Sequence, residues 1–415
     1  MKDELLEGIN VGDRIKIIDK DREYTGILMP HHRFSKEEIV TLKLENGYNI
    51  GIKLDKDSKI KLLERESKVK ETKKEIVEID ESLPAISILG TGGTIASYVE
   101  YRTGAVHPAQ SAEDMLYSNP EIAKRCNPEV DIIFSKLSED IEPEDWVEIA
   151  DRVIVELNSG SEGVVIAHGT DTMGYTAAAL SFLIDGLNKP VVFVGSQRSS
   201  DRPSSDAHLN LLAAVEVAKS DLSGVFVVMH ENMSDDKCSI HKGTKVRKMH
   251  TSRRDAFKSI NTEPIGFVYP KKEKIEINDE VDNKNENVCR RGSIEPKVSL
   301  IYAYPGLSEN ELLEASKGEG IVIAGTGLGH LNSKLIPVLK DIIDNGTPVV
   351  MTSQCLNGTV NDHVYSSGRR LLEIGVIPAG DMLPETALVK LMWALSLEED
   401  LVEVINKNIA GELTE

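Results

Sequence analysis

The sequence predicts an α/β protein, with a doubly wound, mostly parallel sheet, a second and smaller α/β domain after it, and a small all-β, barrel-like module before it. The first sixty residues contain short alternating runs rich in β-branched residues, which are typical of antiparallel strands. Further along, wholly apolar runs alternate with amphipathic helical patterns, which indicates a parallel sheet covered on both faces. A densely charged segment separates the two patterns.

The totals exclude several classes of protein. A chain of 415 residues is too long for one ordinary core, so two or three domains of about 100–200 residues are expected. It contains neither a run of about 18 apolar residues nor a secretory signal, and we expect a cytoplasmic protein. The net charge of −20 repels nucleic acid, so any RNA would be held mainly by another subunit. The four cysteines are scattered without a Cys-x-x-Cys pair, which predicts neither a disulfide framework nor a zinc site.

The N-terminal module is predicted to span residues 1–64 and to serve for docking rather than for chemistry. Its alternating runs are DRIKIID, YTGILM and IVTLKLENGYNIGIKL, and Asn46-Gly47 is a dipeptide that closes a two-residue hairpin. Residues 65–84 are dense in charges of both signs and poor in large apolar groups, so they cannot bury much surface. We therefore expect a linker there.

Two α/β domains are predicted to follow, at 85–297 and 298–415. In the first, apolar strands are expected at 85–89, 131–134, 163–167, 191–194 and 224–229. A helix is expected to begin at Pro143, because apolar residues then recur at helical spacing as Trp146, Ile149, Ala150, Val153 and Leu157. The polar stretch 270–297 marks the boundary, after which SLIYAY, GIVIAG and PVVMTS again alternate with helical intervals.

Three loops follow strands of the first domain and carry the candidate chemistry. They are GTGGTIA after the strand at 85–89, HGTDTMGYT after 163–167, and GSQRSSDRPSSDA after 191–194. In an open parallel sheet, ligands bind outside the carboxyl ends of the strands, so these loops are expected to meet at one site.

The glycines of these loops do not match a nucleotide site. A dinucleotide fingerprint needs Gly-x-Gly-x-x-Gly, but counting from Gly90 the sixth residue is Ile95, and in GTGLGHLN at 325–332 it is His330. No Gly-Lys-Ser or Gly-Lys-Thr follows either. The loops do combine glycines with threonines and an aspartate, which are the parts of an acyl-transfer site: a hydroxyl nucleophile, a proton acceptor and backbone donors for an oxyanion.

TGGTIA at 91–96 and HGTDT at 168–172, followed by GSQ at 195–197, resemble the signatures of the bacterial-type L-asparaginase/glutaminase family. The resemblance covers roughly residues 85–400 and implies the asparaginase-like fold. The N-terminal module falls outside it, since stand-alone asparaginases lack such a module. Together with KVRKMHTSRRDAF at 245–257, the module resembles an archaeal branch of the family whose members supply ammonia for tRNA-dependent amidation.

The resemblance assigns roles to particular residues. It implies that Thr94 is the nucleophile, that Tyr101 assists it, and that Thr170, Asp171 and Lys248 form a second catalytic set. It also implies that substrate is bound by Ser138 and Glu139, with the backbones of Gly93 and Gly169. Taken without the family, Lys248 is one cation among several and Tyr101 an ordinary surface residue. His168 directly follows an apolar strand and is expected to be a structural hydrogen-bonding residue.

The resemblance further implies a glutamine-hydrolysing subunit that works through a threonine acyl-enzyme and needs no metal or organic cofactor of its own. Its ammonia would pass to a tRNA-binding partner subunit that uses ATP and Mg²⁺ to convert Glu-tRNA(Gln) to Gln-tRNA(Gln). A homodimer is also implied, and asparagine is a possible second substrate. Two alternatives remain open: a free-standing cytoplasmic L-asparaginase with an appended domain, and a non-catalytic protein that senses an amino acid.

Overall fold

The computed structural model describes residues 5–20, 22–29, 38–44, 49–65, 80–93, 97–99, 106–108, 119–198, 204–278 and 287–414, with the backbone alone at 97–99 and 106–108. The N-terminal module contains the strands β1 (Arg14–Asp19), β2 (Arg22–Leu28), β3 (Ile39–Leu44), β4 (Asn49–Lys53) and β5 (Lys59–Glu64).

These five strands form one antiparallel sheet in the order β4-β3-β2-β1-β5. Alternate residues of β1 and β3 point into a separate apolar core, as period-2 patterning predicts; this core contains Ile15, Ile17, Leu28, Val40, Leu42, Ile52 and Leu54. The predicted all-β module is therefore confirmed. Asn46 and Gly47, where a hairpin turn is predicted, and most of the predicted linker lie outside the described residues. The flanking strands β3 and β4 pair antiparallel with each other.

The body of the protein contains the remaining strands: β6 (Ala85–Gly92), β7 (Ser97–Val99), β8 (Val106–Pro108), β9 (Asn127–Lys136), β10 (Gly163–Ala167), β11 (Ile184–Asp185), β12 (Pro190–Val194), β13 (Gly224–His230), β14 (Cys238–Lys242), β15 (Val246–Lys248), β16 (Phe257–Ser259), β17 (Gly266–Tyr269), β18 (Lys274–Ile277), β19 (Cys289–Arg290), β20 (Val298–Tyr302), β21 (Gly320–Gly325), β22 (Val349–Ser353) and β23 (Ile377–Pro378). In the part of the body that the structure describes, the helices are α1 (Pro143–Asn158), α2 (Met173–Leu183), α3 (Ala207–Ala218), α4 (Glu309–Ala315), α5 (Ile336–Asp344), α6 (Ser366–Glu373), α7 (Pro384–Ala394) and α8 (Leu401–Asn406).

The main sheet has eight strands in the order β18-β17-β14-β13-β12-β10-β6-β9. The five adjacent strands β9, β6, β10, β12 and β13 run parallel, and β14, β17 and β18 continue the sheet antiparallel. Successive residues of β10 and β12 enter opposite cores, since Val164 and Phe193 face one core and Val165 and Val192 the other. The doubly wound, mostly parallel sheet is therefore confirmed, and the antiparallel extension is a feature that the apolar runs did not predict.

Helix α1 begins at Pro143, as its sequence predicts. Glu142 and Asp145 form a reciprocal capping box, and Pro143 at the first helical position lacks only an N–H that would have no partner within the helix. The apolar stripe predicted from Trp146 to Val153 is buried in the core between α1, α2 and the main sheet.

The smaller domain is built on four parallel strands in the order β20-β21-β22-β23. Helix α7 packs against α2 of the first domain, where the rings of Phe182 and Trp393 stack with centroids 5.5 Å apart. One apolar cluster includes Val322 and Val350 of the smaller sheet as well as Val164 of the main sheet, so the two α/β domains share a core.

Candidate active site

The candidate site lies at the carboxyl edge of the three adjacent strands β6, β10 and β12. Gly93 lies directly beyond β6, the segment from His168 to Thr172 follows β10, and the segment from Gly195 to Arg198 follows β12. Because these strands are parallel neighbours, their ends come together, as the sequence predicts.

Close contact between backbones explains the glycines. Gly93 has φ = +79°, and a Cβ there would lie 2.6 Å from the Cα of Gly169. A Cβ on Gly169 would in turn lie 2.6 Å from the Cβ of Ser138. Both contacts are shorter than any side chain tolerates, so glycine lets the three segments meet without an intervening side chain.

Thr170, Asp171 and Lys248 come together at this edge. Lys248 Nζ donates to Thr170 Oγ1 at 2.8 Å and to Asp171 Oδ1 at 2.7 Å. Lys248 ends β15, which pairs with β16 in a hairpin beside α2. Its side chain is 14% exposed, whereas that of Asp171 is 65% exposed, so the carboxylate faces the open side of the group.

Ser138 and Glu139 lie in a 3₁₀ turn after β9. Ser138 is buried, and its Oγ lies 3.4 Å from Asp171 Oδ2, while its carbonyl accepts a 2.7 Å bond from Thr172 Oγ1. Glu139 is exposed on the same turn. The structure therefore places Ser138 against Asp171 of the Thr170–Asp171–Lys248 group, with Glu139 exposed beside Ser138 in the chain.

Thr94 and Tyr101, the predicted nucleophile and its assistant, lie outside the described residues. The described chain reaches Gly93 immediately before Thr94. Their roles stay predictions.

The sequence patterns did not reveal the polar groups that hold the third loop. Asp206 accepts from the backbone N–H groups of Gln197 and Arg198, and Asn210 donates to the carbonyl of Gly195 at 2.9 Å. Asp206 and Asn210 are both fully buried. The sequence did contain a signal for them: Asp206 stands at the start of α3 and Asn210 follows four residues later, so both side chains lie on one face of that helix.

His168 is fully buried, with both ring nitrogens engaged. Nδ1 lies 2.6 Å from the carbonyl oxygen of Gly169, and Nε2 lies 3.0 Å from Thr176 Oγ1. Burial lowers the pKa of His168 to about 4, against the opposing effect of the Gly169 hydrogen bond. The neutral ring is thus part of the framework beneath the site.

The buried His168 predicts acid sensitivity. An unfolded imidazole titrates near pH ~6.5, so between that pH and about 4 the unfolded chain binds more protons and the free energy of unfolding falls as pH falls. The His168 contribution alone is about 2 kcal/mol between pH 6.5 and 5. Urea unfolding across this range should show a smaller slope with pH in His168→Gln than in the parent chain. An unchanged slope would show that His168 does not titrate on unfolding.

Among the described residues, no cluster of three or more His, Cys, Asp or Glu side chains is arranged to hold a metal ion. Within the same residues, no helix is long and apolar enough to cross a membrane.

The four cysteines are free thiols, with Cys126 and Cys238 buried.

Comparison with family models divides the chain into three matches. Residues 85–283 match the N-terminal asparaginase domain, and residues 297–406 match the glutaminase/asparaginase C-terminal domain. Residues 9–63 match the GatD N-terminal domain.

Relatives match over nearly the whole chain. The D subunit of the glutamyl-tRNA(Gln) amidotransferase of Pyrococcus furiosus is 52% identical over 420 residues, covering 98% of this chain and 96% of the relative. The protein of the same name from Methanothermobacter thermautotrophicus is 48% identical over 98% of this chain and 94% of its own length. Among solved structures, the thermostable L-asparaginase from Thermococcus kodakarensis is 37% identical with a TM-score of 0.72, covering 80% of this chain and 99% of that one.

Proposed function

Because the chain belongs to the family of glutamyl-tRNA(Gln) amidotransferase D subunits, we propose that it hydrolyses glutamine and passes the ammonia to a partner subunit. The observation that carries the proposal is a combination: an asparaginase-type body bearing the Thr170–Asp171–Lys248 group follows a GatD-type N-terminal module in one chain. The body alone would match a free-standing asparaginase equally well, and the module supplies the distinction.

In the proposed mechanism, the Thr94 hydroxyl attacks the carboxamide carbon of glutamine while a base takes its proton. The negative charge that develops on the carbonyl oxygen is stabilised by backbone N–H groups of the glycine-rich loops. The amide nitrogen takes up a proton and leaves as ammonia, and the γ-glutamyl group stays as an ester on Thr94. Water then hydrolyses this ester, releasing glutamate and restoring the threonine hydroxyl.

The Thr170–Asp171–Lys248 group is proposed to transfer protons and to orient the substrate. Lys248 Nζ lies 2.8 Å from Thr170 Oγ1, which is short enough for a proton to pass between lysine and threonine. Asp171 is held by the same ammonium at 2.7 Å, and its exposed carboxylate is available for the α-amino group of the substrate. Tyr101 is proposed to assist Thr94, and Ser138, Glu139, Gly93 and Gly169 to line the substrate.

We propose that the amidation of Glu-tRNA(Gln) takes place on a partner, the E subunit (GatE), which would hold ATP, Mg²⁺ and most of the tRNA. The net charge of −20 supports this division, since a strongly acidic chain gains little from phosphate contacts. A homodimer of this chain within a heterotetramer, located in the cytoplasm, completes the proposal.

The two alternatives are less well supported. A free-standing L-asparaginase does not account for the N-terminal match at residues 9–63 or for relatives that align over 98% of this chain. An amino-acid sensor would need no lysine bonded to a threonine and an aspartate at the substrate edge.

The test is ammonia release from ¹⁵N-amide glutamine by the chain alone, with the partner subunit, and with the partner plus Glu-tRNA(Gln) and ATP. We expect the label to appear in Gln-tRNA(Gln) only in the complete mixture, and glutamine hydrolysis to be fastest there. Equal and fast release from free asparagine by the chain alone would instead support the asparaginase alternative. Absence of release under every condition would support the sensor.

A further inference from the structure

Thr170 is contacted from two sides by elements that are distant in sequence. On one side, Gly195 lies so close that a Cβ on it would be 2.7 Å from Thr170 Cγ2. On the other side, Lys248 Nζ donates to Thr170 Oγ1. The loop after β12 and the β15–β16 hairpin therefore both determine where the threonine hydroxyl lies.

Asn210 of helix α3 is the first link between these two elements. Its amide nitrogen donates to the carbonyl of Gly195 at 2.9 Å and to Asp206 Oδ2 at 3.0 Å. Its oxygen therefore serves as the acceptor toward His230, whose Nδ1 lies 2.6 Å away. Asn210, Asp206 and His230 are all fully buried, so the loop after β12 is tied to the end of β13 by a buried polar network.

The second link joins the end of β13 to the hairpin. The segment that follows β13 continues directly from His230 to Met233 and Asp235. Because the one N–H of a neutral His230 ring donates to Asn210 Oδ1, this link runs through the backbone of the segment rather than through the 3.4 Å approach of Nε2 to Asp235 Oδ1. Arg254, in the hairpin loop that begins directly after Lys248, donates to the Asp235 carboxylate and to the carbonyl of Met233. The Arg254 side chain is only 11% exposed, whereas its partner Asp235 is 54% exposed, so the guanidinium is held against the protein and the carboxylate faces solvent.

We infer that Arg254 and Asn210 are positioning residues, which act through His230 and the segment 231–235 that follows it to hold the β15–β16 hairpin and the loop after β12 at fixed positions on either side of Thr170. Neither side chain contacts the Thr170 hydroxyl group in the described structure. The predicted changes in rate rest on the proposed function. The contacts that join the hairpin to the loop after β12 do not depend on it.

The expected effect is on turnover rather than on binding. A misplacement of about 1 Å in a catalytic group can cost about 100-fold in rate, because bond formation depends steeply on approach geometry. Without Arg254, the hairpin loop loses its bonds to Asp235 and Met233. Lys248 would keep its charge but hold Thr170 less accurately, so kcat should fall with little change in KM.

The chain offers a matched control in the neighbouring residue. Arg253 lies in the same loop, and among the described residues it bonds within that loop, through its side chain to Asp255 at 2.9 and 2.7 Å and through its N–H to His250. With the partner subunit and Glu-tRNA(Gln) present, Arg254→Ala should lower kcat about 10- to 100-fold with KM changed less than about 3-fold. Arg253→Ala should stay within about 2-fold, and Arg254→Lys should recover part of the loss, because an ammonium can reach one of the two acceptors.

A second measurement does not depend on catalysis. The Met249 N–H donates to the Ala256 carbonyl across the hairpin loop, and its hydrogen exchange reports how firmly the loop is held. Exchange should accelerate in Arg254→Ala and stay near the parent rate in Arg253→Ala. Unchanged exchange and kcat in Arg254→Ala, or equal effects of both variants, would overturn the inference. Accelerated exchange in Arg254→Ala, with a parent chain that hydrolyses no glutamine, would instead retain the link and reject the proposed function.

Discussion

Thr94→Val is expected to abolish ammonia release from glutamine, with a loss on the order of 10³-fold or more. Valine keeps the shape of threonine but removes the hydroxyl, so no ester with the γ-glutamyl group can form. The fold should tolerate the change, since the substitution adds no volume. Glutamine binding should survive, because the groups proposed to line the substrate are untouched.

The measurement is single-turnover ammonia release together with mass spectrometry of the intact chain, which detects a γ-glutamyl adduct in the parent protein. Thr352→Val is a suitable control because Thr352 is buried in the smaller domain, where it donates to the carbonyl of Met382 at 2.7 Å. That variant should lose some stability and keep its activity. If Thr94→Val still releases ammonia, Thr170→Val becomes the decisive variant, since Thr170 is the next candidate nucleophile.

Lys248→Met should lower kcat by about 10²–10⁴-fold, the usual range for a group that moves protons in the transition state. Methionine retains an apolar chain of similar length but lacks the ammonium that bonds to Thr170 Oγ1 and Asp171 Oδ1. Stability should change by less than about 1 kcal/mol, because the Asp171 partner is 65% exposed and such ion pairs contribute little.

The pH profile and urea unfolding of Lys248→Met separate these effects. Lys274→Met is the control, since Lys274 lies on β18 at the edge of the main sheet, where its ammonium bonds to Glu276 at 2.6 Å. We expect Lys274→Met to retain near-parent turnover. A kcat equal to that of the parent chain in Lys248→Met would remove Lys248 from the mechanism.

Local patterns predicted most of the fold. Each apolar run expected in the first α/β domain lies in a strand of the main sheet. Four of the runs are in strands buried on both faces, which require apolar residues at every position, whereas 131–134 lies in the edge strand β9, where Asp131 is exposed. Helix α1 likewise begins at the proline that its first turn favours. The three antiparallel strands were missed because their runs are short or half polar, and their place in the sheet depends on partners far along the chain.

The location of the site followed from the same patterns, and its internal geometry did not. Loops that leave neighbouring parallel strands must share one edge, so the order of apolar runs and glycine-rich loops was enough to bring the segments around Gly93, Thr170 and Gly195 together.

The position of Lys248 depends instead on the folded chain, where a residue 78 positions beyond Thr170 places its ammonium 2.8 Å from that hydroxyl. The same holds for Arg254 and Asn210, which fasten the two sides of the site through the end of β13. Periodicity is a property of neighbouring residues, whereas these contacts depend on the packing of a hairpin and a helix that meet only after folding.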